Sequence, residues 1–417
     1  MSKASIIFWR NSDLRTILTG ELISDFGSQI GDVALPIFAA TTLDATAGQM
    51  AGLLSAEYIP RIVVGLAAAG WIDRVRRRPV LVSTNLARCM TLSLVALAAW
   101  RQVLAMEHLY LVAIVLAGLD VLFESTFAAN LPTLVPTPML TAANGARASS
   151  SAAASVFGPA LGGALISIVG APAAIATDGV SFIASVVALA SLRASEVRPA
   201  PGLRSTPPVA AILQGWHWLL REPTLRAFAA TACTANFFYR VIMSVYVLYL
   251  TRDLGLSAAA VGVIFGFGGG VGVLIGSLAA APLARVFGVG RSMVAAHLLF
   301  GIMGIPLALS AFVPRYAAAL VFASEFLQLA VNAVYMVNRT SVEQALSPPH
   351  LRGRIQSGRN VFHAVAGVLG LAFGGLLATA LTPAAAIAVG VIGGLTSFMW
   401  LLFSPLRTHH ELPSHCL

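Results

Sequence analysis

The chain has 417 residues, of which 58% are hydrophobic and only 10% are charged. Soluble domains carry about 25% charged residues, so this composition excludes a soluble protein and indicates an integral membrane protein. The net charge of +9 would suggest nucleic-acid binding in a soluble chain, but the arginines of a membrane protein serve to set its topology. We therefore expect a lipid bilayer around the chain and no nucleic-acid partner.

Apolar runs of about 20 residues predict membrane-spanning helices rather than a barrel, whose strands are about 10 residues long. The predicted fold is all-α, with twelve transmembrane helices in two pseudo-symmetric six-helix bundles. One bundle covers 1–192 and the other covers 226–417 with a short cytoplasmic tail. A cytoplasmic linker over 193–225 contains a short amphipathic helix near 212–220. The predicted spans are 16–42, 48–71, 79–100, 108–129, 147–169, 172–192, 226–250, 257–283, 291–313, 316–338, 357–380 and 384–405.

Basic residues are distributed unevenly between the two sides of this arrangement. About 20 of the 26 lysines and arginines fall on one side, whereas Arg101, Arg252 and Arg315 fall on the other. Because positively charged loops stay in the cytoplasm, this asymmetry places both termini inside. No cleaved signal peptide is expected before the first span. The composition is typical of a GC-rich bacterium, so we expect a multi-pass protein of the bacterial inner membrane.

Common enzyme signatures are missing from the sequence. Lys3 is the only lysine, whereas a nucleotide-binding P-loop requires a lysine after its glycines. Neither HExxH nor GxSxG occurs, so the commonest metalloprotease and serine hydrolase motifs are absent. Three scattered cysteines are too few for a disulfide framework or a metal site. We expect no enzymatic activity, no metal and no cofactor.

The two halves of the sequence are related. Four residues of the first half recur 212 positions later in the second half: Arg147, Gly158, Gly162 and Gly163 correspond to Arg359, Gly370, Gly374 and Gly375. Two six-span repeats in parallel orientation, with a substrate site between them, are a known transporter architecture. The repeat therefore predicts a transporter.

A cluster of charges separates the second and third predicted spans, where it must lie at the membrane surface. Its residues are Gly70, Asp73, Arg74, Arg77 and Arg78. The cluster resembles the Gly-x-x-x-Asp-Arg-x-Gly-Arg-Arg loop of the major facilitator superfamily, although Ala69 and Arg76 replace the two glycines. In that family the loop is a cytoplasmic gate element, and the resemblance implies the same role here.

A second motif in the predicted fifth span strengthens this resemblance. Its residues are Gly145, Gly158, Pro159, Gly162 and Gly163. They follow the pattern Gly-x8-Gly-x3-Gly-Pro-x2-Gly-Gly, which is typical of exporters in the superfamily that exchange drug for proton; Ala154 replaces one glycine. Stretches at 131–136, 215–223 and 351–354 resemble the branch of macrolide-efflux and enterobactin-exporter proteins.

This resemblance covers essentially the whole chain. It implies export of a hydrophobic or amphipathic small molecule, such as a drug, antibiotic, siderophore or other secondary metabolite. The implied mechanism is proton antiport with alternating access, in which the proton gradient supplies the energy. The expected partners are the small-molecule substrate, protons and the bilayer, and the family default is a monomer.

Ionisable residues inside spans are functional hypotheses, because a charge at the bilayer centre costs roughly 2.5–3.5 kcal/mol. In the first span, helical spacing puts Glu21, Asp25 and Asp32 on one face with Ser28. Burial favours the protonated form of a carboxyl group, so Asp25 and Asp32 are candidates for proton coupling or substrate binding. The alternative is that Glu21 and Asp25 are solvated near the surface, and Glu21 is the weaker candidate.

Two further pairs of charges lie in the second and fourth spans. Asp120 and Glu124 are four residues apart, so their like charges repel and one of them would tend to bind a proton. The arginine motif that drug–proton antiporters often carry in this helix is absent. Glu57 and Arg61 have the same spacing but opposite charges, which favours an internal ion pair.

The second half offers three more candidates. Arg240 lies in the middle of the seventh span, where an ion pair with Glu325 of the tenth span is plausible. His363 in the eleventh span is either a titrating group or a neutral, hydrogen-bonded histidine. Acids in the first half and aromatic residues in the second would suit a bulky substrate, including a cationic one.

Two alternative functions remain open at this point. One is a solute importer or uniporter on the same fold, against which the exporter-type motif in the fifth span argues. The other is a non-transporting membrane sensor or scaffold, which the lack of a soluble signalling domain disfavours. The sequence does not identify the substrate.

Overall fold

The computed structural model describes residues 12–72, 75–134, 140–192, 208–347 and 351–405. Within these ranges the secondary structure is helical, and no β-strand occurs. Asp73 and Arg74 of the predicted gate loop, and 193–207 of the predicted linker, lie outside the described residues. The chain is therefore an all-α protein, as its sequence predicted.

Contacts divide the chain into two compact units. Unit 1 contains the described residues of Met1–Ala45, Ala56–Ser205 and Ser257–Gly266. Unit 2 contains those of Thr46–Ser55, Thr206–Leu256 and Phe267–Leu417. Each unit thus takes in one short segment from the opposite half of the sequence. These segments are 46–55 and 257–266, which occupy nearly equivalent positions in the two repeats.

Helices α1–α7 come from the first half of the sequence. They are α1 (Ser12–Thr41), α2 (Ala47–Ala56), α3 (Tyr58–Trp71), α4 (Arg77–Trp100), α5 (Met106–Leu134), α6 (Leu140–Val169) and α7 (Ala171–Ala190). The second half supplies α8 (Pro208–Arg221), α9 (Pro223–Met243), α10 (Tyr246–Leu248), α11 (Ala258–Val263), α12 (Val271–Phe287), α13 (Val289–Ile302), α14 (Ile305–Leu309), α15 (Ala317–Leu346), α16 (Arg352–Ala380), α17 (Pro383–Leu395) and α18 (Met399–Leu402).

Ten segments of the described chain are long and apolar enough to cross a membrane. They are Arg77–Trp100, Met106–Leu131, Ala143–Val169, Ala171–Ala190, Pro223–Asp253, Ala258–Phe287, Val289–Phe312, Pro314–Leu346, Arg354–Ala380 and Pro383–Leu402. The predicted number of twelve is not confirmed. Polar and charged residues lower the hydropathy of α1, and the second predicted span is interrupted at Glu57, between α2 and α3.

Glycine allows two of the helix connections to be very short. Gly170 alone separates α6 from α7 and has a φ of 85°, and Gly288 alone separates α12 from α13 and has a φ of 84°. Residues with a side chain rarely adopt this left-handed conformation, whereas glycine does so at little cost. The chain can therefore leave one helix and enter the next within a single residue.

In unit 1, α1 packs along α7 at close range. Gly20 makes this approach possible, because a Cβ atom there would lie 2.6 Å from the Cβ of Ala188. The buried core around the first turns of α1 includes Leu14, Ile17 and Leu189. This packing brings the polar side chains of α1 against α6 and α7.

In unit 2, α8 is fastened to the first part of α16. The indole Nε1 of Trp216 donates a hydrogen bond to the carbonyl oxygen of Gly358 at 2.9 Å. Its ring stacks on Phe362 with 4.8 Å between the ring centroids. A Cβ atom on Gly358 would lie 2.7 Å from Cδ1 of Trp216, so glycine is needed for this fit. The contact fixes α16 where it carries Arg359.

Candidate functional site

Arg147 of α6 is the centre of an accessible ion-pair network in unit 1. Its guanidinium bonds the carboxylate of Asp25 on α1 and lies 3.3 Å from that of Glu124 on α5. The Asp25 side chain is 18% exposed and that of Glu124 is 64% exposed, so solvent reaches both acids. One arginine cannot neutralise two carboxylates, and a proton on either acid would leave a balanced pair.

Asp120 on α5 has its own arginine. Arg88 on α4 lies 2.8 Å from the Asp120 carboxylate. The Arg88 guanidinium also lies over the rings of Phe123 and Phe182, at 4.7 and 5.2 Å from their centroids. Asp120 and Glu124, which are four residues apart on α5, thus each meet a different arginine.

Glu21 is buried, whereas one alternative in the sequence analysis placed it in solvent near the membrane surface. It is only 2% exposed and accepts a hydrogen bond from Ser185 on α7. The close packing of α1 on α7 turns this side chain into the bundle. The solvated interpretation of Glu21 was therefore wrong.

Asp32 and the Glu57–Arg61 pair lie nearer to solvent. Asp32 is exposed, and Gln29 donates to its carboxylate at 3.4 Å. Glu57 and Arg61 form the ion pair that their spacing predicted, at 3.2 Å. Both side chains of the pair are partly exposed. The charges of Glu57, Arg61 and Asp120 all act on the carboxyl group of Asp32.

The sequence analysis suggested an ion pair between Glu325 and Arg240, but the hydrogen-bond donor to Glu325 in unit 2 is another residue. Glu325 is buried and accepts a hydrogen bond from the hydroxyl of Tyr246 at 2.9 Å. The guanidinium of Arg240 lies over the ring of Tyr239, 5.7 Å from its centroid. His363 is exposed, and its backbone oxygen accepts from Asn236.

A buried charge cluster in unit 2 escaped the sequence analysis. Glu343 lies 2.6 Å from Arg359 and 3.8 Å from Arg339, and all three side chains are at least 87% buried. Arg147 and Arg359, which the repeat relates, thus both form ion pairs. The repeat was the signal that could have singled them out.

Two arginines of the predicted gate loop bond to backbone carbonyl oxygens in unit 1, and those that Arg78 bonds lie at the end of α7. Arg77 donates to the carbonyl oxygen of Ala129 at 2.8 Å. Arg78 donates to that of Leu192 at 3.1 Å and also to that of Ala190, at the end of α7. Cationic side chains stabilise the carbonyl end of a helix in this way. Gly70 lies in α3 near its end.

The glycines of the fifth-span motif have different surroundings. A Cβ atom at Gly158 would overlap Gln29 of α1, and one at Gly162 would lie 3.1 Å from Cα of Ile30. Gly163 faces the segment 257–266, whereas Gly145 has open space around it. Pro159 lies inside α6, between the two close contacts with α1. Most of the motif therefore serves close helix packing.

Comparison with known proteins decides the family. The sequence model of the Major Facilitator Superfamily matches residues 17–338 and 228–415 of this chain. The chain belongs to the Major Facilitator Superfamily. It is a multi-pass membrane transporter of this family, and the resemblance to this superfamily is confirmed.

Curated relatives within the superfamily share about a quarter of their residues with this chain. The "Multidrug efflux pump Tap" of Mycolicibacterium fortuitum is 26% identical over 390 residues, which cover 89% of this chain and 90% of the relative. An uncharacterized MFS-type transporter, YfiS of Bacillus subtilis, is 24% identical over 383 residues, which cover 89% of this chain and 88% of the relative.

Solved structures show the same fold. The nucleoside transporter NupG (D323A mutant) has a TM-score of 0.75 at 11% identity, and covers 94% of this chain and 98% of its own. A bacterial homologue of the iron transporter ferroportin, in an inward-facing state, has a TM-score of 0.73 at 18% identity, and covers 93% and 98%. At such identities the likeness establishes the fold alone.

Proposed function

We propose that this transporter exports a hydrophobic or amphipathic small molecule in exchange for protons. The main support is the geometry at Arg147, which pairs with two accessible carboxylates from different helices, those of Asp25 and Glu124. The fifth-span motif and the 26% identical relative that is named a multidrug efflux pump support export. Asp32, Asp120 and Glu325 are further candidates for proton coupling, and Arg240 and His363 for contact with a polar part of the substrate.

The proposed chemistry follows from the charge balance at Arg147. With both acids ionised, the group of three carries one negative charge, and one carboxylate is imperfectly paired. Protonation of Asp25 frees Arg147 to pair with Glu124 alone, and protonation of Glu124 strengthens the bond to Asp25. Because the three residues lie on α1, α5 and α6, the protonation state biases how these helices pack. Binding of a cationic substrate near the acids would favour proton release.

Several broader features belong to the same proposal. The protein acts in the cytoplasmic membrane of a bacterium, with both termini inside, as the excess of arginine on one side supports. It works as a monomer without a resident cofactor, and the proton gradient drives transport. Asp73 and Arg74, with Gly70, Arg77 and Arg78, serve as its cytoplasmic gate.

Uptake into everted membrane vesicles tests the proposal, because their cytoplasmic face points outward and an exporter moves its substrate into the lumen. A panel of dyes and antibiotics is offered with and without a proton uncoupler, to the intact protein and to Asp25→Asn and Glu124→Gln. We expect uncoupler-sensitive transport that falls at least ten-fold in both variants. Glu107→Gln is the matched control, because Glu107 is an exposed acid at the first turn of α5.

Two outcomes would contradict the proposal. Accumulation in intact cells, instead of depletion, would mean that the protein is an importer or uniporter. Transport that persists at full rate in both variants would mean that the Arg147 network is structural.

A further inference from the structure

A chain of buried hydrogen bonds connects Arg88 to Glu21 through two neutral side chains. Nη1 of Arg88 donates to Oδ1 of Asn85 at 3.0 Å, and Nδ2 of Asn85 donates to Oγ of Ser185 at 2.7 Å. The Ser185 hydroxyl then donates to the Glu21 carboxylate. Asn85 and Ser185 are fully buried and Glu21 is 2% exposed. We call these four residues the Glu21 relay.

Every donor in the Glu21 relay points in the same direction, from the cation towards the acid. Such an arrangement polarises each hydrogen bond along the chain and strengthens it. It also requires Glu21 to be the acceptor at the end, which its carboxyl oxygens can be. The positive charge of Arg88 is thus shared between an accessible acid, Asp120, whose side chain is 40% exposed, and a buried acid reached through the relay.

We propose that Glu21 is a positioning residue for proton exchange at Asp120, and that it acts through Ser185, Asn85 and Arg88. A buried arginine that loses its anionic partner is strongly destabilised. When Asp120 takes up a proton, Glu21 remains as the counter-charge of Arg88, so the guanidinium stays in place. The proposal rests on the proposed proton exchange in unit 1, where Asp120 is already a candidate, and adds Glu21 to that site.

Other charged groups around the two acids belong to the same environment. Arg147 on α6 and Asp25 on α1 act on Glu21, as does Arg88. The charge of Asp120 acts on two other acids, Asp32 on α1 and Asp178 on α7. Glu124 lies one helical turn after Asp120 on α5. Glu57 and Arg61 on α3 also act on Asp32. All of these groups lie in unit 1, and they are unchanged in the variants below.

The test compares two serines on one helix. Ser185→Ala interrupts the relay, whereas Ser181→Ala removes a hydroxyl that donates to the carbonyl oxygen of Asp178 on its own helix, at 2.7 Å. Without the relay, Arg88 depends on Asp120 alone, so Asp120 should hold its charge to lower pH. We expect the acidic limb of the pH profile of efflux to move down in Ser185→Ala, by less than about one pH unit because the hydrogen bond removed is to Glu21 and acts on Asp120 only through Arg88.

A second measurement does not depend on transport. Infrared titration of the purified protein follows carboxyl protonation, and the band lost in Asp120→Asn identifies Asp120. Its midpoint should move down in Ser185→Ala and in Glu21→Gln, and should stay in place in Ser181→Ala. Equal midpoints in the two serine variants would overturn the proposal. If no dye is transported but the midpoint moves, the relay stands and the proposed export fails.

Discussion

The two units use arginine and carboxylate in opposite proportions. In unit 1, Arg147 meets two acids, Asp25 and Glu124, and solvent reaches both. In unit 2, Glu343 meets two arginines, Arg339 and Arg359, and all three are buried. The repeat places Arg147 and Arg359 at equivalent positions, so the same residue has been given different surroundings.

This difference separates a site that can exchange protons from one that holds helices together. An accessible group with surplus negative charge can gain and lose a proton without exposing a buried ion. The buried group in unit 2 has two arginines and one carboxylate. If that carboxylate took up a proton, both buried arginines would lose their counter-charge, which is strongly unfavourable. The proposed proton exchange at Arg147 therefore fits the surroundings in unit 1, whereas the Glu343 cluster fits a structural contact between α15 and α16 in unit 2.

The largest expected difference between the two units is in the free energy of unfolding of variants that lose an acid. Glu343→Gln leaves Arg339 and Arg359 buried without their carboxylate and should lower the free energy of unfolding by about 3–5 kcal/mol. Glu124→Gln, which removes an exposed partner of Arg147, should change it by less than about 1 kcal/mol. Thermal unfolding of the purified variants in one detergent measures both. A similar loss in the two variants would remove the distinction between the units.

A smaller effect is expected where α8 meets α16. Trp216→Phe keeps an aromatic ring against Phe362 but loses the hydrogen bond to Gly358, and should cost about 1 kcal/mol. Trp218→Phe is the matched control, because the buried Nε1 of Trp218 has no hydrogen-bond partner among the described residues. The same unfolding measurement compares them. If Trp218→Phe costs as much as Trp216→Phe, the hydrogen bond is not what fastens α8.

Sequence reasoning predicted the parts of the fold that follow from local pattern. Long apolar runs gave the helices, and the loop and fifth-span motifs indicated the family. The Glu57–Arg61 pair was predictable because both residues lie one turn apart on a single helix. These features depend on spacing along the chain, which can be read without knowing the neighbours.

Contacts between helices could not be predicted in the same way. The partners of Asp25 and Asp120 lie on other helices, and which arginine each acid meets depends on the rotation of those helices. Glu21 was misjudged for this reason, since its burial follows from the close approach of α1 to α7 at Gly20. The Arg339–Glu343 pair has the same spacing of four residues as Glu57 and Arg61 and was overlooked, whereas the contact of Glu343 with Arg359 joins two helices and has no local signal.

Transport by reconstituted vesicles tests the central claim about Arg147 most directly. The intact protein and the double variant Asp25→Asn, Glu124→Gln are compared in two modes: uphill dye movement driven by a pH gradient, and gradient-free exchange of labelled for unlabelled dye. We predict that the double variant loses uphill movement and retains exchange, because the acids couple transport to protons. Uphill movement at the rate of the intact protein would contradict the account and place the proton site elsewhere.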